Sequence, residues 1–420
     1  MGLLSLLERK KLHAIKALKI LAEAGYESRL AGGCVRDMLL GATPQDFDIA
    51  TVALPEQMLK AFAKEGIKTI PTGIDHGTIT VVMKSGPIEI TTLRKDERTD
   101  GRHAQVSFVD DFQIDASRRD FTINAMFEDM SGRIYDYFSG QEDLKNRRLR
   151  FVGDAKKRIQ EDYLRIMRYF RFQARFSLKA NQDELDAIKE NAHGLKQISQ
   201  ERITAELIKL LQCDLVGSVL TEMIQCKILP YAIPSLSTLD NETIAALDKL
   251  QTIEKSDRAM ARLALILSHK NDSKALQQIA HNLKLTKKQT ALVLFLSQAP
   301  KHLSQLKSDD NAAAMAFIDH AEDACGEGSF FPLVASYMQQ MPLSPQLKTL
   351  LNFAKKTENT KAHIRKARLP LTGDDLINRL QIKKGPEIGQ ILNRLKEEFR
   401  NEKWSTKDEA IAIAHNLISE

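Results

Sequence analysis

Ala31-Gly32-Gly33-Cys34-Val35-Arg36-Asp37, followed shortly by Gln45-Asp46-Phe47-Asp48-Ile49-Ala50, is the stretch that decides how this chain is read. Paired glycines at a strand-to-helix turn let backbone amides approach a phosphate, and the helix start adds its positive dipole end. Arg36, one turn into that helix, reaches toward a triphosphate or a ribose. Taken alone, the segment is a tight turn with a helix-surface arginine. The acids behind it shift the balance. On an extended strand residues two apart share a face, so Asp46 and Asp48 present both carboxylates side by side. Such a pair repels itself unless positive charge intervenes, and a pair of Mg²⁺ ions is the natural solution, since Mg²⁺ prefers a few carboxylates plus substrate phosphates. A lone D-x-D is also consistent with two solvent-facing aspartates.

Working outward, helical spacing runs from Leu12 to Ala24 and stops at Gly25. An extended piece, Tyr26 to Ala31, precedes the glycine turn, and Val35 to Leu40 reads as a helix. Asp46 to Thr51 reads as a strand, and Pro55 opens a helix ending at Gly66. Further strands are expected at Ile67 to Ile70, Thr78 to Met83, Ile88 to Leu93, Val106 to Val109 and Ile134 to Tyr137. From Ala155 onward helical periodicity dominates, beginning with one helix from Ala155 to Arg175 and continuing with Ser199 to Leu211. The expected class is α+β, a small mixed-sheet head over residues 1–150 followed by all-α segments at 151–212, 213–350 and 351–420.

Bulk composition restricts the function classes. Hydrophobic residues make up 43% and charged residues 28% of the 420, a soluble profile in which no stretch is apolar enough to span a membrane. The N-terminus carries charge after its apolar run and no small-residue cleavage site, which is not the pattern of a secretory signal. Cys34, Cys213, Cys226 and Cys325 form no CxxC pair, against zinc and against a disulfide framework, so a reducing cytoplasm is expected. Net charge is +6, and residues 351–420 hold 14 Lys and Arg against 10 Asp and Glu. A basic tail on a near-neutral body fits a phosphate-backbone contact, or simply a solvated helical surface.

Three more segments carry polar residues in suggestive places. Glu89, in Ile88-Glu89-Ile90-Thr91-Thr92-Leu93-Arg94, alternates with apolar neighbours; it is either a third carboxylate facing Asp46 and Asp48 or an exposed strand residue. Arg118-Arg119-Asp120-Phe121-Thr122-Ile123-Asn124 places two arginines, an aspartate and an asparagine before an apolar run. That set suits a ribose and phosphates, or a salt-bridged helix start. In Glu161-Asp162-Tyr163-Leu164-Arg165-Ile166-Met167-Arg168-Tyr169-Phe170-Arg171, the residues Asp162, Arg165, Arg168 and Arg171 recur every three positions, drifting around one side of a helix.

In this order GGCVRDMLLG, QDFDIAT, IEITTLR, RRDFTINAMF and EDYLRIMRYFRF resemble the class II tRNA nucleotidyltransferase and poly(A) polymerase family, relatives of the polymerase beta superfamily. The tail, with PLTGDD and GPEIG, is also similar, so the likeness covers nearly the whole chain. It implies head, neck, body and tail domains in a seahorse shape, and addition or repair of the tRNA 3′-terminal CCA from CTP and ATP with Mg²⁺. By position, Asp46 and Asp48 match the metal-binding pair, with Glu89 a candidate third carboxylate. Gly33, Arg36 and Arg119 match residues that hold the nucleotide. Asp162, Arg165, Arg168 and Arg171 match the neck helix that reads the base and binds the triphosphate. The basic body and tail would grip the upper half of tRNA.

The neck assignment has its own logic. Cytosine and adenine each offer an amine donor beside a ring-nitrogen acceptor, so an aspartate and an arginine suit both. Guanine and uracil reverse that order and would set like against like, at a cost of several kcal/mol in a closed site. Rival readings are a poly(A) polymerase, an enzyme adding only CC or only A, and a non-catalytic RNA-binding protein on the same scaffold. Pro71-Thr72-Gly73-Ile74-Asp75-His76-Gly77-Thr78 resembles the CCA-adding branch. A full-length polar loop from Arg94 to Ser117, with His103 as a loop residue, favours complete CCA addition, and the intact acids disfavour a mere binding module. No His-Asp dipeptide occurs, against an added phosphohydrolase.

Overall fold

The computed structural model describes residues 6–99, 104–234, 236–268, 272–304, 337, 371–380, 385–400 and 406–419. His103, Cys325 and residues 351–370 of the expected tail lie outside them, as does most of 305–350. The chain divides into two units, Met1–Gln298 and Ala299–Glu420.

The first unit opens on a seven-stranded sheet ordered β3-β4-β5-β2-β1-β8-β9. Its strands are β1 (Ser28–Ala31), β2 (Ile49–Thr51), β3 (Thr69–Gly73), β4 (Thr78–Met83), β5 (Gly86–Thr92), β8 (Met126–Glu128) and β9 (Ile134–Asp136). Neighbours are antiparallel except β2 and β5, which run parallel with Ile49 beside Ile90. This is the expected mixed sheet within an α+β class. β2 begins at Ile49 rather than Asp46, because pairing with β1 starts there. Residues 46–48 remain outside the strand, with Phe47 buried between two exposed aspartates.

The two faces of the sheet differ in side-chain bulk, and that difference makes room for a site. Ile49, Ile79, Val81, Ile88 and Ile90 are buried, as are Ala14, Leu18 and Leu21 of helix α1 (Leu6–Glu23) and Met58 and Phe62 of α3 (Pro55–Lys64). Full burial of each large side chain there contributes about 1.5–3 kcal/mol. The alternate positions carry the small residues Ala31 and Ala50, packed with Phe112 and Ala116 of α4 (Phe112–Ser117) and with Phe127. Small residues leave the edge of that face open.

Between β5 and α4 the polar run expected as a loop forms β6 (Arg94–Thr99), which pairs with β7 (Ala104–Phe108), where a strand was expected from Val106, as a separate two-stranded ladder. β6 is laced by charge, with Arg94 and Asp96 3.9 Å apart and Lys95 and Glu97 3.8 Å apart, whereas β7 alternates Ala104, Val106 and Phe108 with polar residues. Arg94 and Asp96 of β6 are half-buried, and because that covered face carries charge rather than apolar side chains, no hydrophobic period marks β6 in sequence.

The helical part of the first unit follows α2 (Gly33–Leu39) and α5 (Gly140–Lys145) of the head. The single helix expected over Ala155–Arg175 is two: α6 (Ala155–Glu161) and α7 (Leu164–Phe176). Asp162 breaks it by turning extended, with φ −153° and ψ 104°. Its Oδ1 then accepts the Leu164 backbone N–H at 3.0 Å, one of the unpaired donors at the new helix start. Helices α8 (Gln182–Asn191) and α9 (Gln200–Leu211) follow. Phe121, Phe151, Tyr169 and Phe172 pack with centroids 5.0–6.1 Å apart, fixing α7 to the chain after α4. Further on, Arg262 is fully buried and donates to the carbonyls of Leu211, Cys213, Asp214 and Leu247, closing the C-terminal end of α9.

In the second unit three helices, Gly373–Leu380, Pro386–Arg400 and Lys407–Ser419, share a core of Leu371, Leu376, Ile388, Leu395, Ala410 and Ala414. Thr372 starts the first of them, its hydroxyl 2.7 Å from Asp375 in a reciprocal cap.

Candidate active site

Two cavities adjoin on the open side of the sheet, sharing Arg118 and Arg119 in their walls. The smaller, about 290 Å³, holds Asp48 and Glu89 with Thr78, Thr91, Arg94 and Asp115. Parallel pairing of Ile49 with Ile90 places Asp48, the residue just before β2, beside Glu89 of β5. The Asp48 carboxylate is open to the cavity yet crowded by protein on its other sides. That burial, with Glu89 and then Asp46 as like charges, pushes it up to about 6, against the opposing pull of Arg119. Asp46 stands further out, 77% exposed, and meets Lys10 of α1 at 3.2 Å. Lys10 also donates to the Gln45 carbonyl at 2.6 Å.

The larger cavity, about 470 Å³, is lined by the glycine turn, the arginine pair and the start of α7. Gly32 has φ +72°, and a Cβ there would lie 2.6 Å from Arg119 Nη1. Glycine is needed for both the backbone angle and the close approach. Arg36 is buried. Its guanidinium donates to Asp37 at 2.8 and 2.6 Å, makes a short hydrogen bond to the Asn124 side chain, and sits 4.4 Å from the Phe176 ring centroid.

Asp115 organises the arginine pair. It is 1% exposed, with one oxygen accepting Arg118 Nε at 2.8 Å and the other accepting Arg119 Nη2 at 3.0 Å. Burial alone would raise this acid, but the two arginines override it and hold it below its ordinary value. Five residues on, Asp120 accepts Arg168 Nε at 2.9 Å and the Asn124 amide at 3.1 Å. It too is held low despite burial, with Arg168 as the chief counter-charge.

The neck residues are distributed unequally. Asp162, Arg165 and Arg168 line the larger cavity, whereas Arg171 does not. Arg165 donates to Glu161 Oε2 at 2.6 Å and to the carbonyls of Arg158 and Arg118 at 2.7 and 3.3 Å. Arg171 turns to Glu206 on α9 at 2.7 Å. A three-residue step advances only about 300° around a helix, so such a series drifts off one face. The structure thus gathers Gly33, Arg36, Arg119, Asp162, Arg165 and Arg168 in one cavity, sets Asp48 and Glu89 in the next, and leaves Asp46, paired with Lys10, outside both linings.

Reading the chain alone missed Asp96, Asp115 and Arg202. Asp115 was findable, since it stands three and four residues before Arg118 and Arg119 on one helical face. Asp96 and Arg202 reach the larger cavity by tertiary folding, and nothing local marks them.

The chain is similar to known proteins over most of its length. The family model "Poly A polymerase head domain" matches residues 28–150, and "Probable RNA and SrmB- binding site of polymerase A" matches residues 181–240. The chain is similar to the mitochondrial CCA tRNA nucleotidyltransferase 1 of Danio rerio, 38% identical over 397 residues, covering 92% of this chain and 86% of the relative. It is 32% identical over 389 residues to the CCA-adding enzyme of Streptococcus uberis, covering 91% of each. Among solved structures, the Bacillus stearothermophilus CCA-adding enzyme in complex with CTP superposes with a TM-score of 0.72 at 28% identity, covering 97% of each chain.

Proposed function

The chain belongs to the family of CCA-adding tRNA nucleotidyltransferases, and from that premise we propose that it builds or repairs the tRNA 3′-terminal CCA from CTP and ATP in the two cavities described. The observation that carries the reading is the shared arginine wall: an acid cavity on one side and a nucleotide-sized, arginine-lined cavity on the other. In that division of labour the triphosphate lies against Gly33, Arg36 and Arg119, with Arg168 completing the positive wall. The base lies toward Asp162 and Arg165. The attacking 3′-hydroxyl comes to the α-phosphate beside Asp48.

Asp48 and Glu89, adjoining in one cavity, suit a divalent cation such as Mg²⁺, which prefers a few carboxylates plus substrate phosphates. Asp48 is pushed up to about 6 by burial and by Glu89 and Asp46, an excess of negative charge that a divalent cation relieves. Asp46 and Asp48, with Glu89 beside them, would hold it, and when bound it would favour loss of the hydroxyl proton and neutralise charge on the pyrophosphate. The chain's own residues do the rest. The ribose oxygen forms its bond to the α-phosphorus as the bond to the β-phosphate oxygen breaks, and Arg36, Arg119 and Arg168 balance the anionic triphosphate throughout. Asp162 accepts from the exocyclic amine of cytosine or adenine, and Arg165 donates to the adjacent ring nitrogen.

The helical segments beyond residue 212 and the basic segment 351–420 would grip the tRNA backbone, which makes binding salt-sensitive. Cys34, Cys213 and Cys226 are unpaired thiols, as a reducing compartment such as the cytoplasm would keep them. No helix among the described residues is long and apolar enough to cross a membrane.

A single-turnover extension assay tests the reading. tRNA transcripts ending before CCA, after C and after CC are given each nucleotide alone and CTP with ATP, in Mg²⁺. Growth by C, C and A that stops there supports it. Open-ended A addition would make the protein a poly(A) polymerase, and arrest after CC a CC-specialist.

A further inference from the structure

Arg202 is the one α9 residue that lines the larger cavity among the described residues, and no function has been attached to it so far. It sits in the first turn of α9, and its Nη2 meets Asp162 Oδ2 at 3.2 Å. The other oxygen of the same carboxylate is taken by the Leu164 backbone N–H at 3.0 Å. Asp162 is therefore pinned at both oxygens, by a helix start on one side and a cation from a different helix on the other. The pairing is partly enclosed, with the Asp162 side chain 21% and the Arg202 side chain 31% exposed. One turn further along α9, Glu206 pairs with Arg171 of α7 at 2.7 Å, a second ion pair holding α9 against the neck, with Arg171 outside the cavity.

We propose that Arg202 is a positioning residue for nucleobase selection, holding Asp162 as a fixed, acceptor-only group at the base edge; this rests on the reading of Asp162 as the base-contacting acid. The physical argument concerns water. A carboxylate fixed in the cavity can only accept, so it rejects a base that presents a carbonyl. A carboxylate free to swing away leaves its place to water, which donates as readily as it accepts and so tolerates cytosine and uracil alike. Arg202 also keeps the charge compensated when a base excludes solvent from Asp162, where a lone buried carboxylate would be costly. A merely structural surface pair between two helices would contribute little and would leave selectivity untouched.

The test uses the full chain with Mg²⁺ and tRNA lacking CCA, measuring kcat and KM for CTP, ATP and UTP. Arg202→Gln is expected to raise KM for CTP and ATP, and to lower the CTP-over-UTP ratio of kcat/KM about tenfold. Arg202→Lys, which keeps the charge, should recover most of that ratio. In an Asp162→Ala background, Arg202→Gln should lower the ratio no further. Melting temperature is followed for each variant, and the Lys variant carries the comparison if the Gln variant melts early. Lowered selectivity in Asp162→Ala with an unchanged ratio in Arg202→Gln overturns the role of Arg202 alone, as do fully additive effects. An unchanged ratio in Asp162→Ala itself removes the base-contact reading, and this proposal with it.

Discussion

The Asp120 carboxylate receives the Arg168 guanidinium, Nε to Oδ2 at 2.9 Å, and so joins the chain after α4 to helix α7. Its other oxygen accepts the Asn124 amide, whose own carbonyl takes a hydrogen bond from Arg36. A single relay of side chains thus ties a cation of the glycine turn to a cation of the neck. Residues far apart in sequence that would share one triphosphate are held in register before any substrate arrives.

Asp120→Asn should therefore loosen both ends. The acid is enclosed and Arg168 is about one-third open to solvent, so the loss of stability is expected at roughly 1–3 kcal/mol, below that of a fully buried pair. Because Asp120 and Asp115 are both held below their ordinary values, their contribution is present above the unfolded carboxylate range and lost as pH falls through the folded values. Denaturant midpoints from pH 7 down to pH 3 should fall less steeply in the variant. An equally steep fall would show that Asp120 contributes nothing to acid sensitivity.

Glu184 is expected to act in the opposite direction. It is 7% exposed, Oε1 accepts the Phe151 backbone N–H at 3.3 Å, and Oε2 has no hydrogen-bond partner. Burial pushes it up to about 7. The folded chain then holds this proton more tightly than the unfolded one, so its contribution is present below the unfolded value and lost as pH rises through 7. Glu184→Gln should gain roughly 2–4 kcal/mol relative to the parent between pH 5 and pH 8. A constant difference across that range would rule this out.

Gly32→Ala tests the close approach at the turn. It forces a side chain onto a positive φ and sets a Cβ 2.6 Å from Arg119 Nη1. Strain of about 1–3 kcal/mol is expected, and Arg119 must move. Nucleotide KM should rise at least as much as stability falls. Intact KM in a destabilised protein would show that Arg119 is not needed where it lies.

Arg168 and Arg171 are three residues apart and should behave differently. Arg168→Ala should raise KM for CTP and ATP, since this side chain lines the cavity. Arg171→Ala should act mainly on the melting temperature, through the lost pair with Glu206. Any effect on nucleotide use should arise only by displacement of α9. Equal rises in KM without destabilisation would return Arg171 to the nucleotide wall.

Asp48→Ala should abolish turnover and leave nucleotide binding in the arginine cavity measurable, because Asp48 lies in the other one. Fluorescence titration with a labelled CTP analogue, with and without Mg²⁺, separates the two. Loss of metal-free binding would place the acid in the nucleotide cavity instead.

Local pattern in the chain determined most elements of the sheet, the change to all-helical structure after residue 150, and the family, because strand alternation, glycine turns and motif order are short-range properties. It also singled out Asp46 and Asp48 and the motif that holds Arg119, and left Glu89 as either a third carboxylate or an exposed strand residue. Only the tertiary structure decided that Glu89 stands beside Asp48, since that follows from parallel pairing of β2 with β5 across forty residues. The break at Asp162 is likewise tertiary in origin. Periodicity runs through it unbroken, and an extended residue is stable there because Leu164 and Arg202 take both its carboxylate oxygens. Arg171 left the cavity, and Arg202 entered it, for one reason: which side of a helix faces a site is set by the helix packed against it, and α9 is remote in sequence from the motif it completes.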